Sequence, residues 1–441
     1  MRLGTHRRSA VLLPEEEHLL VLGPTGSGKS SALAIPAILE WPGPVVVTDP
    51  KGELLRATLA ARRQRGPAAT FAPLMRPSDR WDPVRSVQSS EDALRTAGFL
   101  LGKSPEREPF WHDLALQLLH GLLVEASSAG YTLGQLLSLL QAVPAEELIA
   151  EMSHPVARQL VQGALSGGDR TAMGVLATLV SRLGPYGTEQ VAEATSKSTF
   201  APADIASGGI LTIFCLVSPP DAPLLRGLVS ALLARCWRAI YAAPPAVPVL
   251  FVLDEFAQLT FLPELAALVQ LGRSQGVRML LMAQDLASIS ATYGTETSSA
   301  IWSNCRTKLL LPGISEPELL ERVSKLAGSA TLHGGPGRHG EPIGSHPVLA
   351  PDEVRRLRSD RALVIHGGDH PAVVQQRRWY QDQRLRRLVG AQLAEDQVPR
   401  PVRGRPLTEW ARDPSGDIAE PLPWDAGLEL RPAVVAGGVQ S

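Results

Sequence analysis

Gly23-Pro24-Thr25-Gly26-Ser27-Gly28-Lys29-Ser30 is the stretch that decides the fold. It matches the pattern G-x-x-x-x-G-K-[ST] in full. Glycines let a backbone turn its N–H groups inward around phosphate oxygens, and the helix that follows adds its positive N-terminal dipole. Lys29 can reach the β- and γ-phosphates of a nucleoside triphosphate, and the Ser30 hydroxyl can ligate Mg²⁺. With Ser31, residues 23–31 form a candidate nucleotide-binding loop, which implies ATP and Mg²⁺ as cofactors. The flanks agree: HLLVL (18–22) reads as a strand and Lys29 to Leu39 as a helix. The bland alternative is a glycine-rich strand-to-helix turn without a ligand.

Outward from this loop, short apolar β-branched runs recur. PVVVT (44–48) reads as a second strand, followed by Asp49-Pro50-Lys51-Gly52 and a helix from Glu53 to Arg65. Further strands are expected at Ile210–Val217, Val247–Leu253, Arg278–Ala283, Thr307–Leu311 and Ala362–His366. The runs are continuous rather than alternating, which suits a parallel sheet covered on both faces. With helices between them, the expected class is α/β with a doubly wound, mainly parallel sheet.

The texture changes between residues 86 and 199. PFWHDLALQLLHGLLVEA (109–126) and TLGQLLSLLQAV (132–143) show apolar residues at three- and four-residue spacing, with no strand run among them. The spacing predicts an inserted all-α domain. The expected organisation is therefore 1–85 and 200–396 as two parts of one nucleotide-binding domain, 86–199 as the insertion, and 397–441 as an irregular Pro-rich tail. Residues 329–346, rich in Gly, His and Pro, read as a surface loop. No internal repeat is visible.

Composition sets bounds. Lys+Arg is 43 against Asp+Glu at 44 in 441 residues, which excludes a uniformly basic nucleic-acid coat but not a local basic groove. Only six of the cations are lysines, so Lys29 is informative by rarity. Three widely spaced cysteines (Cys215, Cys236, Cys305) give no disulfide or zinc framework and point to a reducing, cytoplasmic compartment. The first residues lack the long apolar run of a signal peptide. The longest apolar stretch, Ile210 to Val217, falls far short of the roughly 20 residues a membrane-spanning helix needs, so no transmembrane segment is expected.

A second chemical signal is VLFVLDE (249–255). An apolar strand running into two carboxylates suits a metal-binding Asp254 and a water-activating Glu255, with alternation along the strand placing the two on opposite sides. A general base must sit within hydrogen-bond reach of its water. Acidic pairs at strand ends are also common as solvated loop starts. Gln284, just after RMLLMA (278–283), could sense a γ-phosphate from a neighbouring strand or be an ordinary strand-end amide. Arg273, in LGRSQG, is either a surface arginine or one that enters a neighbouring subunit's site, and Arg278 competes for that role. His333, His339 and His346 lack a metal-ligand spacing. Phe110-Trp111 reads as a core staple, with a docking pair as the alternative.

In order along the chain, GPTGSGKSS (23–31), VVVTDPKGEL (45–54), RWDP (80–83), PFWHDLALQLL (109–119), VLDEFAQL (252–259), AQDLASISATYG (283–294) and LAPDEVRRLRSDRALVIHGGDHP (349–371) resemble the TraG/TraD-type coupling proteins of type IV secretion. The resemblance spans about Val11 to Tyr380. It implies a RecA-like, DNA-translocating P-loop ATPase with an inserted all-α domain, assembled as a homo-hexameric ring. Its implied partners are single- or double-stranded DNA, relaxase or relaxosome proteins and the components of a secretion channel. Carried over by position, Lys29 and Ser30 bind phosphate and metal, Asp254 holds the metal, Glu255 activates water, Arg273 is the arginine finger and Gln284 the sensor. Members of this family carry N-terminal transmembrane helices. Only 22 residues precede Gly23 here, so the expectation is a truncated chain, a soluble branch, or a cytoplasmic protein held at the inner face of the membrane by partners. The rival readings are an FtsK-like double-stranded DNA translocase and a nucleotide-binding docking receptor with little turnover.

Overall fold

In the computed structural model, alternate residues of each inner strand point to opposite faces of one eleven-stranded sheet. The structure describes residues 1–6, 9–14, 16–104, 109–333 and 342–390. The strands of this sheet are β1 (Arg2–His6), β2 (Ser9–Leu12), β3 (Leu19–Leu22), β4 (Val45–Thr48), β5 (Ala68–Phe71), β6 (Thr212–Cys215), β7 (Val249–Leu253), β8 (Val277–Ala283) and β9 (Thr307–Leu310). After a separate hairpin of β10 (Ser329–His333) and β11 (Pro342–Pro347), β12 (Arg361–His366) and β13 (Ala372–Gln375) complete it. The order is β2-β1-β13-β12-β9-β3-β8-β7-β4-β6-β5. From β9 to β5 every pairing is parallel, and β12, β13, β1 and β2 add an antiparallel edge.

Both faces are covered, which is why the inner strands are apolar at every position. Leu19, Val21, Val45, Val47, Leu250, Val252, Leu280 and Met282 face a cluster formed with the helices after β3 and β4. Leu20, Leu22, Val46, Phe251, Leu253 and Leu281 face a second cluster. Truncating one such buried leucine to alanine costs about 2–5 kcal/mol. The connection from β3 to β4 runs over the first face and that from β8 to β9 over the second, so the two crossovers diverge on either side of β3. Such a divergence opens a crevice at the carboxyl ends of the strands, where doubly wound sheets take ligands.

Between β5 and β6 the described residues form helices only. These are Ser90–Leu101, Pro109–Ala129, Leu133–Ala142, Ala145–Glu151, Pro155–Leu165, Asp169–Leu183 and Glu189–Ala194, with a short 3₁₀ turn at Gly184–Gly187 and another at Pro202–Ala206. Local chemistry sets their starts: the Ser89 hydroxyl accepts from Asp92 N, and Thr132 with Gln135 forms a capping box. Leu118, Leu119 and Leu122 share one continuous apolar cluster with the sheet. Asp92, 7% exposed, ties this layer to helix Ala222–Ala242 through Arg235 at 2.7 Å and Arg238 at 3.2 Å.

Four expectations need correction. The surface loop at 329–346 contains the β10–β11 hairpin, because the Gly/Pro/His cluster marks the turn and not its flanks; residues 334–341 lie outside the described set. The helix after the glycine loop starts as a π-helical segment, Lys29–Ala34, before Ile35–Glu40 continues in α form. The helix after β4 ends at Arg63. Phe110 and Trp111 divide the roles offered for them: Phe110 is exposed, whereas Trp111 packs on the core beside Gly174. The tail 397–441 lies outside the described residues. Cys215, Cys236 and Cys305 are free and buried. Among the described residues no helix is long and apolar enough to cross a membrane, and no three His, Cys, Asp or Glu side chains gather as a metal-ligand group.

Candidate nucleotide-binding site

Four strands end side by side at one edge of the sheet. Leu22 pairs with Ala283, Leu253 with Leu281, and Thr48 with Leu253. The residues that follow them, Gly23, Gln284, Asp254 and Asp49, therefore converge, and Gly23 N donates to Ala283 O at 3.2 Å. Residues as far as 261 positions apart in sequence meet here because β3, β8, β7 and β4 are neighbours.

The loop from Gly23 to Ser31 turns as its glycines permit. Gly26 has φ 81° and Gly28 φ 105°, both in the region that L side chains rarely adopt. A Cβ on Gly23 would come within 2.6 Å of the Leu311 Cβ, so packing as well as conformation demands glycine there. Lys29, 6% exposed, donates its Nζ to the carbonyls of Gly23 at 2.5 Å and Pro24 at 3.5 Å. It also lies 3.2 Å from Glu255 Oε1. A buried ion pair recovers its desolvation cost only when the remaining donors are satisfied, and the two carbonyls satisfy them.

Glu255 does not owe its direction to strand alternation, as the sequence suggested. The strand stops at Leu253, and Glu255 takes the left-handed conformation (φ 47°, ψ 43°), unique among the described non-glycine residues. This step buries Phe256 against Tyr293 and turns the carboxylate to Lys29. Strained backbone of this kind costs about 1–3 kcal/mol and is concentrated at functional sites.

Asp254 is 6% exposed, and its Oδ1 has no hydrogen-bond partner among the described residues. Burial, and then the charge of Glu255, push its carboxyl up to about 7, against the pull of Lys29; Asp49 adds to the rise and Lys51 opposes it. Thr48 holds the Asp254 backbone, its hydroxyl donating to the Asp254 carbonyl at 3.1 Å. Asp49, also raised by burial, accepts from Leu55 N at 2.8 Å and Lys51 N at 3.3 Å, and so starts helix Glu53–Arg63. The Ser27 Oγ is a second buried oxygen without a partner. An orphaned, buried carboxylate oxygen, together with a buried hydroxyl oxygen that lacks a partner, is a donor set that suits a hard divalent cation. Ser30 lies in the first turn after Lys29, as a metal-ligating hydroxyl requires.

The structure brings together the loop, Asp254, Glu255 and Gln284. Arg273 is elsewhere. It precedes β8, whose seven residues separate it from Gln284 by about 23 Å along the strand. Its side chain is 53% exposed and pairs with Glu16 at 3.3 Å, at the opposite edge of the sheet. Arg278 is 7% exposed and donates to the Arg273 and Val277 carbonyls, so Arg273 is the better placed of the two to meet another molecule. Two contributors were not legible in the motifs: Asp49 as a helix-starting carboxylate, and Arg378, whose Nη1 donates to Ser31 Oγ at 2.8 Å. Their partners lie six and 347 residues away, and no spacing rule links Arg378 to the loop.

Residues 4–399 match the family model described as Type IV secretory system Conjugative DNA transfer. The chain is 27% identical over 422 residues to Protein VirD4 of Rhizobium rhizogenes, covering 88% of this chain and 62% of that protein. It is 24% identical over 407 residues to the conjugal transfer protein TraG of Agrobacterium fabrum, covering 85% and 62%. The chain thus spans 62% of the length of these relatives. Among solved structures, the bacterial conjugative coupling protein TrwBdeltaN70 superimposes with a TM-score of 0.69 at 21% identity, covering 84% of this chain and 86% of that one. TrwB in complex with ADP and Mg²⁺ gives 0.68 at 21% identity, covering 82% and 85%. The fold is therefore that of these coupling-protein structures, a mainly parallel α/β sheet covered on both faces.

Proposed function

This chain belongs to the type IV secretory system conjugative DNA transfer family, and on that premise we propose that it is the motor part of a coupling protein. It would be an Mg²⁺-dependent ATPase that drives DNA, or a relaxase–DNA complex, towards a secretion channel. The observation that carries this reading is the meeting of the Gly23–Ser31 loop, Asp254, Glu255 and Gln284 at one sheet edge.

In this reading the backbone N–H groups of Gly23, Pro24, Thr25, Gly26, Ser27 and Gly28 face phosphate oxygens where the chain carries them, and proline contributes its fixed turn instead. Lys29 neutralises charge at the β- and γ-phosphates, and Ser31 continues the loop into the helix. Ser30 and Asp254 would hold Mg²⁺, which would supply charge neutralisation at the phosphates. Glu255 orients the attacking water and takes its proton once Lys29 has turned from the carboxylate to the phosphates. Gln284, one strand away, reads the state of the terminal phosphate.

Arg273 would serve the neighbouring subunit. It stands at the sheet edge remote from its own loop and is exposed, so contact with a nucleotide requires a second copy. This supports a ring, with six subunits by family resemblance. Residues 1–85 and 200–396 would make the motor, 86–199 the substrate-facing helical layer, and 397–441 an appended tail. The work would be done on the cytoplasmic side of the channel, with partners holding the motor at the membrane. ATP turnover with and without single- and double-stranded DNA tests the proposal: stimulation supports a motor, and nucleotide binding without turnover supports a docking receptor.

A further inference from the structure

β13 is antiparallel to β12, and β12 to β9, which is parallel to β3. β13 therefore runs with β3 and delivers Gln375 to the same sheet edge as the glycine loop. Residues 376–382 then cross above the helix that follows the loop. Trp379, 1% exposed, anchors the crossing in the apolar cluster that contains Ile35, Ile38, Leu385 and Val389. Gln376 N donates to Asp360 O at 2.7 Å, and Arg378 N donates to Gln381 Oε1 at 3.0 Å. The backbone of Arg378 is thus held on both sides.

The Arg378 guanidinium is laid against the loop. Besides the bond to Ser31 Oγ, its Nη2 donates to Ser359 O at 3.4 Å. Its plane covers Gly28: a Cβ there would come within 2.9 Å of the Arg378 Cζ and 3.1 Å of its Nη2. Gly28 is required by its positive φ, and its bare face leaves room for the guanidinium. Among the described residues no carboxylate lies within ion-pair distance of Arg378, whereas Arg358, Arg377 and Arg384 nearby each have one. An always-charged fork with neutral partners, resting on an anion-binding loop, lacks only the anion.

We propose that Arg378 is a phosphate-binding residue that engages the phosphates shared by nucleoside di- and triphosphates. This rests on the reading of residues 23–31 as a nucleotide loop. The position of Arg378 sets which phosphates. Lys29 extends to Glu255 and the Asp254 side, where a terminal phosphate belongs, whereas Arg378 sits at Gly28 and Ser31, on the part of the loop that cradles the inner phosphates. The residue therefore acts in binding, for ADP and ATP alike, and couples the C-terminal crossing to nucleotide occupancy.

The test is titration of the full chain with a fluorescent ADP and with a non-hydrolysable ATP analogue, comparing wild type, Arg378→Ala, Arg378→Gln and Lys29→Ala. Loss of a charge-assisted bidentate contact weakens binding on the order of 10-fold or more. Arg378→Ala should weaken both ligands by the same factor, and Arg378→Gln, which can still donate to Ser31, should match it. Unchanged ADP affinity in Arg378→Gln overturns the proposal, even if Arg378→Ala is too unstable to measure. If Lys29→Ala leaves both affinities intact, the nucleotide-loop reading itself falls; if it destroys them while the Arg378 variants bind normally, only this inference falls.

Discussion

Lys29 Nζ lies 3.2 Å from Glu255 Oε1, so the reactive side chains of two motifs 226 positions apart form one buried ion pair. In the proposed mechanism the pair would link phosphate binding to water activation: with Lys29 turned to a phosphate, Glu255 would be free to accept a proton from water. The left-handed backbone at Glu255 makes this geometry possible and keeps Phe256 in the core.

Glu255→Gln should bind ATP at least as tightly as wild type, because the amide no longer holds the Lys29 ammonium. Turnover should fall by about 10²- to 10⁴-fold, the usual contribution of a general base. Nucleotide titration and steady-state hydrolysis separate the two effects. Loss of ATP binding would show that Glu255 is needed for the loop's structure or for metal.

Lys29→Ala should abolish binding or hydrolysis while leaving the fold intact, since electrostatic stabilisation is the main catalytic term in phosphoryl transfer. Circular dichroism checks the fold, and DNA-stimulated hydrolysis checks the chemistry. Undiminished hydrolysis would reject the assignment of the loop.

Asp254 carries a pH prediction. Its carboxyl is raised to about 7 by burial and by Glu255, from an ordinary value near 3.8. A raised carboxylate favours the folded state fully below the ordinary value and loses that contribution as pH rises through about 7. Asp82, raised to about 6 by burial, acts in the same direction. The metal-free chain should therefore lose stability between pH 4 and 7. Asp254→Asn should raise its melting temperature at pH 8 by a few degrees and remove any stabilisation by Mg²⁺ with nucleotide. A lower melting temperature in Asp254→Asn, with Mg²⁺ stabilisation retained, would contradict the site.

Asp92→Ala should destabilise the chain by about 3–5 kcal/mol, because it strips Arg235 and Arg238 of their shared, largely buried carboxylate. Denaturant unfolding measures this. Because the helical layer and the sheet share one apolar cluster, Asp92→Ala should unfold both in one transition. Two separate transitions would mean that the layer is an independent domain.

The parts of this fold visible in the sequence are those where burial on both faces imposes unbroken apolar runs: β3, β4, β6, β7, β8, β9 and β12. The antiparallel strands β1, β2 and β13 at one end of the sheet were not legible, because they carry polar residues such as Arg2, Ser9 and Gln375 in place of an unbroken apolar run. β5 was hidden by its small residues, Ala68 and Ala69. The glycine loop and the Asp254-Glu255 pair were legible because their chemistry is local. The turn at Glu255, the orphaned Asp254 oxygen and the approach of Arg378 arise only when distant segments meet.

Arg273→Ala should bind ATP normally yet lose turnover by about 10³-fold, the scale of arginine fingers. Mixed with Glu255→Gln, it should recover part of the activity, since some interfaces then pair an intact Arg273 with an intact Glu255. Wild-type behaviour of Arg273→Ala at every protein concentration would make it a surface arginine paired with Glu16.

We read this chain as an ATP-driven motor that acts on DNA. The most direct test is ATP turnover by the wild-type chain across protein concentration, with single-stranded, double-stranded and no DNA. Specific activity should rise with concentration and rise further with DNA of at least one kind. Turnover that is absent, or indifferent to both concentration and DNA, would contradict it.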